Sequence, residues 1–149
     1  MKQTPVETIK AATIATATLT VPTCGEGFVD ITREVAGFLR DTGGRNGSVN
    51  LFIRHTSASL TVQENADPDV LADLLTSLRR LAPADGGWRH TIEGPDDMPA
   101  HIKTMLTSVS LQIPVIGGEL ALGTWQAIYL IEHRARAHSR EVVMQFMGS

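Results

Sequence analysis

Residues 51–67, LFIRHTSASLTVQENAD, gather His55, Ser57, Ser59, Gln63, Glu64, Asn65 and Asp67 behind a short apolar run. An imidazole, hydroxyls, amides and carboxylates are the groups that move protons, ligate metals or hold a polar substrate. Strand alternation puts Leu51, Ile53 and His55 on one face and Phe52 and Arg54 on the other, so His55 points with the core. A single histidine in that position is ordinarily a hydrogen-bonded core residue. Chemistry there requires a second cluster from another part of the chain.

His90 and His101 answer it, with Asp96 and Asp97 between them. Three neutral imidazoles, His55, His90 and His101, with an open fourth position would form a zinc-type site. Their spacing matches no compact zinc signature such as HExxH. Asp96, Asp97 and the Asn65 amide offer a second possibility, Mg²⁺ held by oxygen ligands with a substrate phosphate completing the shell. Arg54, Lys103 and Arg140 could neutralise that phosphate, although single cations are more often surface groups. Asp67, before Pro68, and the Asp96–Asp97 pair also read as helix caps.

A serine nucleophile is disfavoured. His55 and Ser57 share a strand face about 7 Å apart, too far for a direct nucleophile–base hydrogen bond, and no GxSxG elbow is present. Cys24 sits in a glycine turn with no histidine near it.

The elements that must position these groups follow from periodicity. Residues 9–21 read as a strand closed by Pro22 and destined for an edge or a subunit contact. From Phe28 a helical pattern carries Ile31, Val35, Phe38 and Leu39 and stops at residues 41–44. Asn46-Gly47 turns into the strand ending at His55, and a helix capped at Asp67 runs to Leu81 with Val70, Leu71, Leu74, Leu75, Leu78 and Leu81 on one stripe. Residues 88–94 form a short extended piece. A helix after residues 95–99 then carries Ile102, Met105, Leu106 and Val109 as its apolar stripe, with His101 in its first turn. Strands are expected at 113–116, 125–134 and 140–147, the middle one apolar on both faces like a central strand. Helices inserted among hairpin-connected strands imply an α+β fold with a mostly antiparallel sheet.

The chain has 149 residues, 42% of them hydrophobic and 19% charged, which fits one globular domain spanning 1–149. A formal charge of -3 without a broad basic footprint argues against a nucleic-acid partner. One cysteine excludes an intrachain disulfide, and no stretch approaches the about 18 apolar residues of a membrane span. A cytoplasmic location without membrane attachment is the expectation.

HTSASLTVQENADPDV at 55–70, EGPDDMPAHIK at 93–103 and LGTWQAIYLIEHR at 122–134 resemble the signature blocks of the YjbQ-like proteins, also called the secondary thiamine-phosphate synthase family. The resemblance implies a β-sandwich of about seven strands with inserted helices, assembled as a homotrimer. It implies a pocket, often metal-occupied and near a subunit boundary, lined by His55, Asn65, His90, His101 and Gln126 with Asp96 and Asp97 alongside. On this reading His55, His101, Asn65 and Asp97 are candidate catalytic groups, and Ser57, Asp67, Asp96 and Gln126 candidate substrate-binding groups. His55, His90 and His101 are candidate ligands of zinc or magnesium. Family members commonly carry an aromatic residue where this chain has His133, which is therefore not counted.

The implied activity is a weak thiamine-phosphate synthase reaction. It joins hydroxymethylpyrimidine diphosphate to a thiazole phosphate and releases pyrophosphate, with a divalent ion and cations stabilising the departing diphosphate. The expectation is a metal-assisted enzyme acting on a small phosphorylated metabolite. The alternative is a non-catalytic trimeric module that binds a metabolite or metal.

Overall fold

The computed structural model describes residues 1 and 3–149. Two antiparallel sheets share one apolar core. The larger has the order β1-β8-β3-β5-β6, built from β1 (Thr13–Thr23), β8 (His138–Gly148), β3 (Gly47–Ile53), β5 (Ser110–Ile116) and β6 (Glu119–Leu120). The smaller has the order β2-β7-β4, from β2 (Gly27–Asp30), β7 (Gln126–Glu132) and β4 (Ala58–Glu64). Val49, Leu51 and Ile53 of β3 and Val142, Met144 and Phe146 of β8 meet Ala58 and Leu60 of β4 and Ile128 and Leu130 of β7 in that core. This is the expected sandwich with one strand more than expected.

Three helices complete the fold: α1 (Thr32–Thr42), α2 (Pro68–Leu81) and α3 (Asp97–Leu106). Val35, Phe38 and Leu39 of α1 are buried as their spacing requires, and Gly43 ends the helix at a φ of 68°, where a side chain would be strained. Phe28 does not open this helix. It lies on β2, and Asp30 accepts the Thr32 N–H at 2.9 Å to start the helix four residues later. β7 is buried on both faces, because Leu74 and Leu78 of α2 close over the side of the small sheet opposite the core, beside Ile131 and Thr61.

Four local expectations are corrected. Pro22 lies within β1 rather than ending it, since β1 is an edge strand that pairs only with β8. β3 ends at Ile53, so His55 lies in the connection that crosses between the sheets, and the polar run from Ser59 to Glu64 belongs to strand β4. Residues 88–94 form bends and turns instead of an extended piece. Helix α3 buries Asp97, Pro99, Ala100 and Lys103, while Met105 and Leu106 of the expected stripe are 87% and 55% exposed. Ion pairs made by Asp97 and Lys103 set the rotation of this helix, and the small Ala100 lets it lie close to the sheet.

Candidate functional site

The β3–β4 connection, the loop before α3 and the C-terminal end of β7 meet at one end of the small sheet. Gly94, at a φ of 110°, makes the turn that delivers Asp96 and Asp97, and a Cβ there would come within 3.2 Å of Asp96 Oδ1. Asp96 does not cap α3. It accepts the Arg134 Nε–H at 3.1 Å and the Ala135 N–H at 2.8 Å, which fastens the loop to the end of β7.

Arg134 is the clamp. Its Nη1 donates to Asp97 Oδ1 and its Nη2 to the Glu93 carbonyl at 2.6 Å, so Asp97 is held with Oδ2 facing the histidines. His90 Nε2 lies 2.7 Å from that oxygen and His101 Nε2 3.1 Å from it, one helical turn from Asp97 on the same face of α3. One nitrogen or oxygen from each of His90, Asp97 and His101 falls within 4.8 Å of the others. Burial works to raise the Asp97 carboxyl pKa, but hydrogen bonding from His90 and the charges of Arg134 and His101 hold it below the ordinary value.

The His101 tautomer follows from its other nitrogen. Nδ1 lies 2.9 Å from the Thr56 carbonyl, which can only accept, so Nδ1 carries the hydrogen. In a neutral ring Nε2 then presents a lone pair to a carboxylate oxygen at 3.1 Å. Two lone pairs at that separation call for a cation between them, either a proton or a metal. His90 Nε2 converges on the same oxygen.

His55 lies across Thr56 from this cluster and belongs to a second network. Its Nε2 accepts the Glu141 N–H at 2.9 Å, and its Nδ1 is 3.4 Å from Arg140 Nη1. Burial and the Arg140 charge lower its pKa, which keeps the ring neutral. Arg140, in turn, grips the fully buried Glu132 through Nε at 2.7 Å and Nη2 at 2.5 Å, and its Nη2 also donates to Ser57 Oγ at 3.1 Å. Thr23 donates to Glu132 at 2.8 Å, and the Arg134 N–H donates to it at 2.9 Å, tying this network to the clamp. Burial opposes ionisation of Glu132, yet Arg140, the Arg134 N–H and Thr23 lower its pKa. Phe52, Arg54, His55, Ser57 and Val109 line an open groove of about 560 Å³ beside it.

Asn65, Asp67 and Gln126 stand apart. Residue 64 pairs with 126 and residue 58 with 132, so they lie at the other end of β4, about 20 Å away along the strand. Asn65 donates its backbone N–H to the Trp125 carbonyl at 2.9 Å. Asp67 caps α2 by accepting the Asp69 N–H at 2.9 Å, and Gln126 Oε1 accepts from the Gly123 N–H at 2.8 Å. Within one chain the structure thus brings together His90, Asp96, Asp97 and His101, with His55 and Ser57 adjoining. Arg134 and Glu132 were not singled out from sequence. A glutamate closing an otherwise apolar strand, followed at once by His-Arg, was the available signal.

The family model "UPF0047 protein YjbQ-like" matches residues 17–149, which include every residue of this cluster. The chain belongs to the UPF0047 YjbQ-like family. A UPF0047 protein of Synechocystis is 47% identical over 131 residues, covering 87% of this chain and 89% of the relative. The UPF0047 protein YjbQ of Escherichia coli O157:H7 is 42% identical, covering 88% and 96%. Among crystal structures, a YjbQ/UPF0047 protein from Clostridium acetobutylicum superposes with a TM-score of 0.82 at 37% identity, covering 87% of this chain and 98% of that one. The fold described above is therefore the YjbQ-like fold.

Proposed function

We propose that this YjbQ-like chain is a metal-assisted enzyme acting on a small phosphorylated metabolite, with His90 Nε2, His101 Nε2 and Asp97 Oδ2 holding a divalent ion. The observation that carries the reading is the convergence of both imidazoles on one buried carboxylate oxygen while Thr56 fixes the His101 hydrogen on Nδ1. Two imidazoles and one carboxylate suit zinc or another divalent transition ion better than magnesium. A proton donated to a backbone carbonyl and an arginine on the second carboxylate oxygen are the outer contacts that orient such ligands. Asp97 takes the third ligand position of this reading, where the sequence expectation has His55.

When bound, the ion would polarise a phosphoryl oxygen and neutralise charge on a departing phosphate or diphosphate. The chain's own groups supply the rest. Arg134 fixes Asp97, while His55, Ser57 and Arg54 border the groove in which a substrate would extend. Formation of thiamine phosphate from hydroxymethylpyrimidine diphosphate and thiazole phosphate is the specific reaction this reading assigns. A homotrimer is the assembly it assigns, and the open apolar side chains Phe52, Met105, Leu106 and Val109 support a buried contact between copies.

The test measures metal content and thiamine-phosphate formation in the full chain and in His90→Ala, His101→Ala and Asp97→Asn. Each variant should lose metal affinity by about 100-fold or more and lose product with it. Unchanged metal content in all three variants would refute the metal site. Metal loss without any product in the parent protein would retain the site and reject the thiamine reaction.

A further inference from the structure

Helix α3 has a second functional flank. Asp97 and His101 face the cluster described above, whereas Asp96, Pro99 and Lys103 line a separate cavity of about 340 Å³. Its other walls are Glu26, Arg79, residues 82–84 after α2, His133 and Ala135.

Lys103 is 4% exposed, and a lysine that deeply buried requires an acceptor. Its ammonium pairs with Glu26 Oε1, while Arg79 Nε donates to Glu26 Oε2 at 2.7 Å. Two cations thus share one carboxylate, Glu26. One of the three Lys103 N–H donors goes to Glu26. Among the described residues the other two have no acceptor.

His133 is 1% exposed. Its Nε2 lies 2.9 Å from Ser59 Oγ, which also receives the Thr107 hydroxyl at 2.7 Å. Among the described residues its Nδ1 is the buried side-chain polar atom left without a partner. Native interiors pair nearly all such atoms, so an exception marks a place for a water or a ligand. Burial and the Lys103 charge lower the His133 pKa to about 4, so the ring is a neutral hydrogen-bonding group rather than a third cation.

We propose that this cavity binds the oxyanion of a small metabolite, a carboxylate or a phosphate, with Lys103 and Arg79 carrying its charge and His133 as its neutral hydrogen-bond partner. The anion supplies acceptors for the free Lys103 donors and a second negative partner for the two cations that share Glu26. Arg79 is the exposed member of the set, with a side chain 56% accessible, and stands at the mouth. The site lies on the opposite flank of α3 from His90, Asp97 and His101.

The experiment titrates chelator-treated full-length protein with inorganic phosphate and, separately, with acetate, following the His133 ring nitrogens by NMR and the heat of binding by calorimetry. Saturable shifts at His133 are expected with at least one probe, and which probe binds tells phosphate from carboxylate recognition. Lys103→Met and His133→Phe should each weaken binding by about tenfold or more, and Arg79→Ala, whose side chain is exposed, by somewhat less. Metal uptake at the other flank should be unchanged in Arg79→Ala. A His133 spectrum indifferent to both probes at high millimolar concentration would overturn the proposal and leave Nδ1 to a structural water. Equal binding by parent and Arg79→Ala, Lys103→Met and His133→Phe would overturn it as well.

Discussion

The two ends of the small sheet carry similar residue types in opposite physical states. At the end where β7 finishes, Glu132, His133 and Arg140 are at most 4% exposed, and the Glu132–Arg140 pair is tied to Thr23 and Ser57 far away in sequence. At the end where β7 begins, Asn65, Asp67 and Gln126 are exposed, and the contacts of Asp67 and Gln126 close over two or three residues. A polar side chain satisfied by its own turn holds the backbone. One buried and satisfied across the fold holds a site in place, because it costs stability unless the whole network is complete.

The largest test of that contrast is Glu132→Gln. It would leave the Arg140 guanidinium buried without its carboxylate, a loss of about 3–5 kcal/mol by denaturant unfolding. The paired replacement Glu132→Leu with Arg140→Met should recover much of the loss, since an apolar pair removes both charges together. A single-variant cost below about 1 kcal/mol, as for exposed ion pairs, would break the comparison.

A second test uses pH. His133 ionises at about 4 in the folded protein against an ordinary 6.5. Between those values the unfolded chain binds a proton that the folded chain refuses, so stability falls as pH drops from 6.5 to 4 and levels off below, a total of roughly 3 kcal/mol. Glu132, Asp96 and Asp97, whose folded pKa values are depressed, add their own loss as pH falls through them. Subtracting the profile of His133→Phe isolates the histidine. Parallel unfolding profiles for the two proteins over that window would show that the buried ring is protonated at little cost.

The same contrast explains what the sequence made legible. The Asp67 cap, the inward Leu78 of the α2 stripe and the doubly buried β7 depend on neighbours within a few residues or on strand period, and each is found where expected, although Leu81 at the end of that stripe is 65% exposed. The histidine pair His90 and His101 was visible as residue type. Asp97 as their common partner was not, because its orientation is set by Arg134, 37 residues later. The same cause misdirected α3. Apolar period favoured burying Met105 and Leu106, but the Asp97–Arg134 and Lys103–Glu26 pairs turn the opposite side inward. His55 was expected as a third imidazole beside His90 and His101, pointing with the core because alternation was carried two residues beyond the end of β3. The turn there hands its Nε2 to the Glu141 N–H instead.

The smallest effects belong to the exposed end. Asp67→Ala should cost about 1 kcal/mol through the lost cap, and Asn65→Ala and Gln126→Ala no more than about 0.5 kcal/mol each. These shifts are small enough that each variant remains folded at ambient temperature, so ligand binding can be read separately from stability. If Asn65→Ala or Gln126→Ala left stability intact yet weakened metabolite binding about tenfold, the exposed end would belong to a pocket that one chain does not close alone. About 20 Å of strand separates it from His101 within a chain. Such a result would therefore require a neighbouring copy of the chain to bring the two ends together.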